Sequence, residues 1–285
     1  MFYNLLHTFT EKGIFTLQRL QNYSKRKIAH AKADLQEFSR NAEFRNTQVG
    51  KRCFILGNGP SLLKHDLLPL GSEQVFVVNN FYRHQDFTAI KPNYYVFADP
   101  DVYRLEVPSV VSWWQEFAEK VKGQNIVFFL PIQLKGTAVH GLLKQEKVYF
   151  LGLDLPFSEN TVHKFDITET VGAAQNVLIL CIQLAIYMGF TEIYLTGADH
   201  DWLTNIKELK HFYGTVDATT NGVRETFHTE YSWWVYATNK MFKQYKMVRR
   251  YAKDKGVKIY NASEAGLLDI YPPITFKEAL GEKPN

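Results

Sequence analysis

Most of the familiar catalytic signatures are missing from this 285-residue chain. Its only cysteines, Cys53 and Cys181, sit apart inside apolar runs, so no disulfide framework and no paired metal-ligand spacing is present. Lone buried thiols of this kind fit a reducing, cytoplasmic setting. There is no Gly-x-Ser-x-Gly and no His-Glu-x-x-His, which leaves serine-hydrolase and zinc-peptidase chemistry without support. The Gly-Lys-Ser/Thr ending of a P-loop is absent too, which disfavours ATPase-type phosphoryl transfer. Met1 is not followed by the apolar core of a signal peptide. The longest apolar stretch, 170–188, is interrupted by Gln175, Asn176 and Gln183 and reads as a buried helix, not a membrane span. No internal repeat or low-complexity linker divides the chain.

What remains is the composition of an ordinary globular protein, 46% hydrophobic and 22% charged. The 21 Phe, 16 Tyr and 5 Trp suit either a site that stacks bases or sugars or an aromatic-rich core. A net charge of +4 conceals an asymmetry: residues 1–52 carry ten Lys/Arg against four Asp/Glu, so the remainder is net negative. The basic character belongs to the N-terminal segment, and nothing points to a nucleic-acid partner. Residues 1–48 show Phe2, Leu5, Leu6, Phe9, Leu17, Leu20 and Tyr23 at helical spacing among scattered Lys and Arg. The expectation is an N-terminal helical extension over 1–48 that either lies on an anionic membrane surface or packs on the domain or a second copy. Residues 49–285 then form one catalytic domain.

Within that domain, short apolar runs alternate with longer helical stretches. Strands are expected at Cys53–Leu56, Val75–Val78, Tyr94–Ala98, Ile126–Leu130, Val148–Leu151, Glu192–Leu195 and Val257–Tyr260. Helices are expected at 109–122, 170–188 and 231–255. Gly189 stands where the middle helix should end. The alternation predicts an α/β, Rossmann-like fold with a mainly parallel sheet flanked by helices. The polar, aromatic and poorly periodic stretch 199–230 suits a lid or binding loop.

The stretch KRCFILGNGPSLL, 51–63, organises the rest. An apolar strand runs into Gly57-Asn58-Gly59-Pro60-Ser61, and Ser61 can cap a helix starting at Leu62. Two glycines permit positive φ or the close approach of a phosphate or another backbone. The turn is therefore either an anion cradle of backbone N–H groups or a plain tight connection. Ligands of open parallel sheets sit beyond the strands' carboxyl ends. Polar residues gather there: Asn58 and Ser61, Asn79 and Asn80, Asp99 and Asp101, Asp199 and His200 after Gly197, and Asn261 and Ser263. Asp99-Pro100-Asp101 has the spacing that can hold Mg²⁺ or Mn²⁺ with a diphosphate, or it is a turn with two solvated carboxylates. His228 and His211 are the candidate bases for an acceptor hydroxyl, with Asp199 beside the same predicted crevice.

Three ordered motifs carry a resemblance: Gly57-Asn58-Gly59-Pro60-Ser61-Leu62, Asn79-Asn80-Phe81-Tyr82, and Ile193-Tyr194-Leu195-Thr196-Gly197-Ala198-Asp199. Together, over about 51–270, they resemble bacterial lipooligosaccharide sialyltransferases and the wider group of motility-accessory and capsule or lipopolysaccharide glycosyltransferases. The resemblance implies a GT-A-like single Rossmann-type domain with a lid, acting on a CMP-activated acidic sugar. It implies that Gly57, Asn58, Gly59, Ser61 and Asn79 hold the nucleotide, that Thr170 and Gly172 meet the donor phosphate, and that His228 is the base. Glu169-Thr170-Val171-Gly172 stands where the sialyltransferases have Arg-x-Thr-Ser-Gly, and His200, Asp201 and Trp202 replace their tyrosines. The archaeal 6-hydroxymethylpterin pyrophosphokinase is a more distant likeness with a similar glycine turn. The reading is an inverting glycosyltransferase of surface-polysaccharide assembly, cytoplasmic or peripheral at the inner membrane, with a CMP-sugar donor and a glycan or lipid-linked acceptor. The alternatives are an ATP-dependent diphosphotransferase and a non-catalytic nucleotide-binding partner subunit.

Overall fold

The computed structural model describes residues 35–155, 157, 165–204, 209–216, 231–264 and 266–282. Eight strands make one parallel sheet in the order β10-β7-β1-β2-β3-β4-β5-β6. They are β1 (Arg52–Leu56), β2 (Val75–Val78), β3 (Tyr94–Val96), β4 (Val127–Pro131), β5 (Lys147–Leu155), β6 (Thr170–Gly172), β7 (Glu192–Thr196) and β10 (Lys258–Asn261). The central strands are buried on both faces, which is why they read as unbroken apolar runs without alternation. A separate antiparallel hairpin joins β8 (Leu209–His211) to β9 (Gly214–Val216).

From β1 the chain steps outward to β6 in one direction. The helix Val177–Met188 then returns it across the sheet, so that β7 pairs with the free side of β1, Phe54 opposite Tyr194. We number four of the helices: the short α1 (Leu35–Ser39) and the longer α2 (Pro108–Val121), α3 (Val177–Met188) and α4 (Tyr231–Asp254). All of α3 is buried, between the sheet and α4. It starts at Asn176, whose side chain accepts the Leu178 amide, and stops at Gly189, whose φ of 88° only glycine adopts easily. On the opposite face, α2 lays Trp113, Trp114 and Phe117 against Tyr82, Tyr95 and Phe97. Much of the aromatic content is therefore core. Both cysteines are free and fully buried.

Two boundaries differ from expectation. The helix expected over 170–188 begins only at Val177, and Thr170–Gly172 is instead the edge strand β6, paired with β5. An extended Asn176 caps the helix and blocks its continuation backward. The second concerns the N-terminal extension expected over 1–48, of which 1–34 lies outside the described residues. Residues 35–48 belong to the domain itself. Phe38 is buried, the Asn41 side-chain amide donates to the Phe150 and Ile167 carbonyls, and the Asn46 amide donates to Tyr187. Among the described residues no helix is long and apolar enough to cross a membrane.

Candidate functional site at the reversal of strand order

The strand order reverses between β1 and β7, and in an open parallel sheet that is where a crevice opens at the carboxyl ends. The Gly57–Ser61 turn leaves β1 there and is sewn to the loop after β7 by alternate amides. Gly57 donates to the Thr196 carbonyl at 2.8 Å, Gly59 to Gly197 at 2.9 Å, and Ser61 to the Asp199 carboxylate at 2.9 Å. The Ser61 hydroxyl donates to the other Asp199 oxygen. A Cβ on Gly57 would lie 2.3 Å from the Gly197 oxygen, and one on Gly59 2.5 Å from the Asp199 Cγ. Gly57 thus answers the close approach of another stretch of backbone, and Gly59 that of the Asp199 carboxyl group beside the Gly197 carbonyl. The amides of 57, 59 and 61 all have acceptors within the chain, so they do not form the anion cradle that was one reading of this turn. Ser61 is no helix cap either. The short 3-10 turn Pro60–Lys64 is preceded by Gly59, and no side chain caps it.

Asp199 is buried, and desolvation raises its carboxyl pKa above the usual range against the pull of the two Ser61 hydrogen bonds. The residues after β7 and β10 brace one another. The Ala198 amide donates to Ser263 Oγ, the Ser263 amide to Asn261 Oδ1, and Asn261 Nδ2 to the Leu268 carbonyl. His200 faces away from the turn into the core. Its φ is 52°, its Nε2 shares a 2.8 Å hydrogen bond with the Tyr245 hydroxyl on α4, and its ring lies 4.8 Å from Trp202. Burial lowers its pKa to about 3, so the imidazole is neutral at ordinary pH.

The β2 side of the crevice is less satisfied. Asn58 Nδ2 donates to the Val78 carbonyl at 3.4 Å, which carries the Asn58 side chain to the end of β2, next to Asn79. Asn79 has a left-handed φ of 48°, and its carbonyl accepts the Tyr95 hydroxyl. The side-chain oxygens of Asn58 and Asn79 are both buried without a hydrogen-bond partner, as is the Thr196 hydroxyl at the end of β7. Buried polar atoms are nearly always paired, so such a group asks for a missing partner. Among the described residues the Asn58 amide also takes no backbone acceptor. Asn80 is committed elsewhere, accepting Trp113 Nε1–H at 2.6 Å.

Part of the stretch 199–230, expected as a lid or binding loop, lies against this place. The tip of the β8–β9 hairpin donates the Phe212 amide to the Asn58 carbonyl at 3.0 Å, and the Phe212 ring meets Phe81 and His84 at 5.9 and 5.0 Å. His211 on the hairpin is half-buried and stacks on Tyr213. His228 and residues 205–208 and 217–230 lie outside the described residues. His84 and Phe212 were not singled out from the sequence. His84 is buried, its Nε2 is unpartnered, and burial lowers its pKa. The Asn-Asn-Phe-Tyr-Arg-His run after β2 held the available clue.

Other expected residues are not brought here. Thr170 and Gly172 sit on the edge strand β6, with four strands between them and β1, beside Gly152 and Phe157. It is the start of α3, through Leu178, that comes within 3.4 Å of a Cβ on Gly57. Asp99 Oδ1 accepts the Asp101 amide at 3.0 Å and caps the turn that follows β3. Among the described residues no three His, Cys, Asp or Glu side chains cluster as a metal site.

Fold and crevice define a Rossmann-like α/β protein with a polar site at its switch point. The chain belongs to the MptE-like family, described as 6-hydroxymethylpterin diphosphokinase MptE-like, which matches residues 21–205 and so spans both sides of the crevice. No curated protein matches it by sequence. Among solved structures it is similar to the sialyltransferase CstII from Campylobacter jejuni, described in complex with a substrate analogue, cytidine-5'-monophosphate. The likeness has 19% identity and a TM-score of 0.44 over 79% of this chain and 85% of that one.

Proposed function

We propose that this chain is a nucleotide-dependent transferase that seats its donor nucleoside at the adjoining ends of β1 and β2. The observation that carries the reading is the pair of buried, unpartnered side-chain oxygens of Asn58 and Asn79. Two neighbouring acceptors suit a ligand that brings N–H and O–H donors, such as the exocyclic amine of cytosine and ribose hydroxyls. Phe212 at the hairpin tip supplies an aromatic wall, and the Asn58 amide, with no backbone acceptor among the described residues, supplies a donor for phosphate. The donor in this reading is a CMP-linked sugar. In an inverting transfer, a base takes the proton of an acceptor hydroxyl, whose oxygen bonds the anomeric carbon as the bond to phosphate breaks and CMP leaves. His211 on the hairpin and His228 are the candidate bases, and the acceptor is a glycan or lipid-linked glycan of bacterial surface assembly.

The family description favours a second reading, ATP-dependent diphosphoryl transfer to a pterin-like hydroxyl. Asp99 and Asp101 would then offer carboxylates to Mg²⁺ or Mn²⁺, with water and phosphate oxygens completing the shell. Melting curves with CMP and with ATP, each with and without Mg²⁺, separate the two, because a ligand of the folded state raises the melting temperature. Stabilisation by CMP without metal supports the sugar transferase, and stabilisation by ATP only with Mg²⁺ moves the assignment to diphosphotransfer. A flat response to both nucleotides refutes both readings. Asn58→Ala and Asn79→Ala should each weaken the stabilising nucleotide by about 1–3 kcal/mol. Unchanged affinity in both variants refutes the site.

A further inference from the structure

Helix α4 is amphipathic, with its inner side, including Met241, Tyr245 and Val248, buried against the domain. Its outer side is unusual in two respects. The first turns expose Tyr231, Val235 and Tyr236 at 54%, 44% and 61%. The remaining length presents Lys243, Lys246, Arg249, Arg250 and Lys253 on the same exposed face, with no acidic residue until Asp254 at the helix end. A helix that merely faces water usually intersperses both signs, and stabilises itself by pairing them. Here Lys246, Arg250 and Lys253 have no carboxylate partner among the described residues. Because α4 runs back to start β10 of a parallel sheet, its aromatic end lies at the carboxyl ends of the strands, the end that holds the crevice.

We propose that this outer face of α4 seats the protein on an anionic lipid bilayer, with the tyrosine-rich turn at the interface and the basic stripe over phosphate headgroups. Aromatic rings with a polar tip favour the boundary between headgroups and acyl chains, and juxtaposed Lys and Arg are drawn to anionic leaflets. Such seating holds the crevice beside the membrane surface, at the aromatic end of the helix. The inference concerns lipid alone and is read without any nucleotide, so it stands or falls apart from the transferase reading.

The test is co-sedimentation of the full chain with vesicles of phosphatidylcholine and of phosphatidylcholine mixed with phosphatidylglycerol, at low and at high salt. Binding only to the anionic vesicles, weakened by salt, is expected. Lys246→Glu with Arg250→Glu should lower that partitioning by roughly tenfold or more. Val235→Ser with Tyr236→Ser should lower it at low and high salt alike. These positions are exposed, and unchanged melting curves certify folded variants. A third variant, with Lys25, Arg26 and Lys27 all changed to Gln, addresses the basic N-terminal segment. The proposal is overturned if the parent ignores anionic vesicles, or if binding survives the α4 substitutions and disappears only with the N-terminal ones. A dimer that these α4 substitutions dissociate would assign the face to a second copy and overturn it too.

Discussion

Replacing Gly57 by Ala tests why the turn after β1 contains glycine. The backbone φ there is not in the left-handed region, so alanine can adopt it, and the whole cost is steric. The new methyl would lie 2.3 Å from the Gly197 oxygen and 2.9 Å from its carbon. The two backbones cannot drift apart freely, because the Gly57–Thr196 and Gly59–Gly197 hydrogen bonds hold them at 2.8 and 2.9 Å. Overpacking of this kind costs about 1–3 kcal/mol, and loosening one of the hydrogen bonds adds about 0.5–1.5 kcal/mol. Against this, alanine restricts the unfolded chain and recovers about 0.4–1 kcal/mol. The net is a loss centred on about 2 kcal/mol, or about 4–8 °C in melting temperature for a chain of this size. Gly141→Ala is the control: that glycine lies in the short helix Ala138–Leu142 with nothing within 4 Å of its added Cβ. It should gain up to about 1 kcal/mol from helix propensity and the restricted unfolded chain. Thermal melts of the two variants beside the parent, in matched buffer without ligand, should move in opposite directions. If Gly57→Ala melts with the parent or rises alongside Gly141→Ala, the close approach of the β7 loop is not what requires glycine.

Asp199→Ala should cost about 1–3 kcal/mol by leaving the Ser61 amide unpaired, whereas Asp199→Asn keeps an acceptor and removes a buried charge, so it should melt near or above the parent at neutral pH. Because the carboxyl pKa is raised in the fold, any advantage of Asn should shrink as pH falls and Asp199 takes up its proton; equal damage from both substitutions refutes the account. His200 runs the other way. Burial holds the imidazole neutral down to about pH 3, while the unfolded chain protonates near 6.5, so its contribution is complete above 6.5 and is lost toward acid at about 1.4 kcal/mol per pH unit. His200→Asn, which tolerates the left-handed backbone, should show a shallower fall in melting temperature between pH 6.5 and pH 4. Parallel curves would mean that His200 does not govern acid sensitivity.

The sheet was legible because its central strands are covered on both faces and therefore spell continuous apolar runs, Cys53–Leu56 and Val75–Val78 among them. Edge and lid elements were not. Thr170–Gly172 is three residues of edge strand, too short to show a period, and the β8–β9 hairpin has no apolar repeat. The motif places the glycine turn after β1 but does not distinguish a ligand from a neighbouring backbone as the reason for it. What fills the space above Gly57 is Gly197, and no local pattern foretells a partner so distant. The same holds for His200, which stands among the strand-end polar residues in sequence yet turns inward to Tyr245. Asn58 and Asn79 were named from their motifs, but their unmet side-chain oxygens become visible only once the ends of β1 and β2 lie side by side.

The pairing of β1 with β7 also sets a timetable. Phe54 meets Tyr194 across about 140 residues, so a growing chain completes the first wall of the crevice long before the second exists. At about 5–20 residues per second of synthesis, the Gly57–Ser61 turn waits roughly 7–28 s for the loop that occupies its amides. Throughout that interval the free edge of β1, buried in the finished protein, is an unpaired strand open to other chains. Slow or interrupted synthesis between β6 and β7 should therefore yield aggregate in place of a smaller working domain.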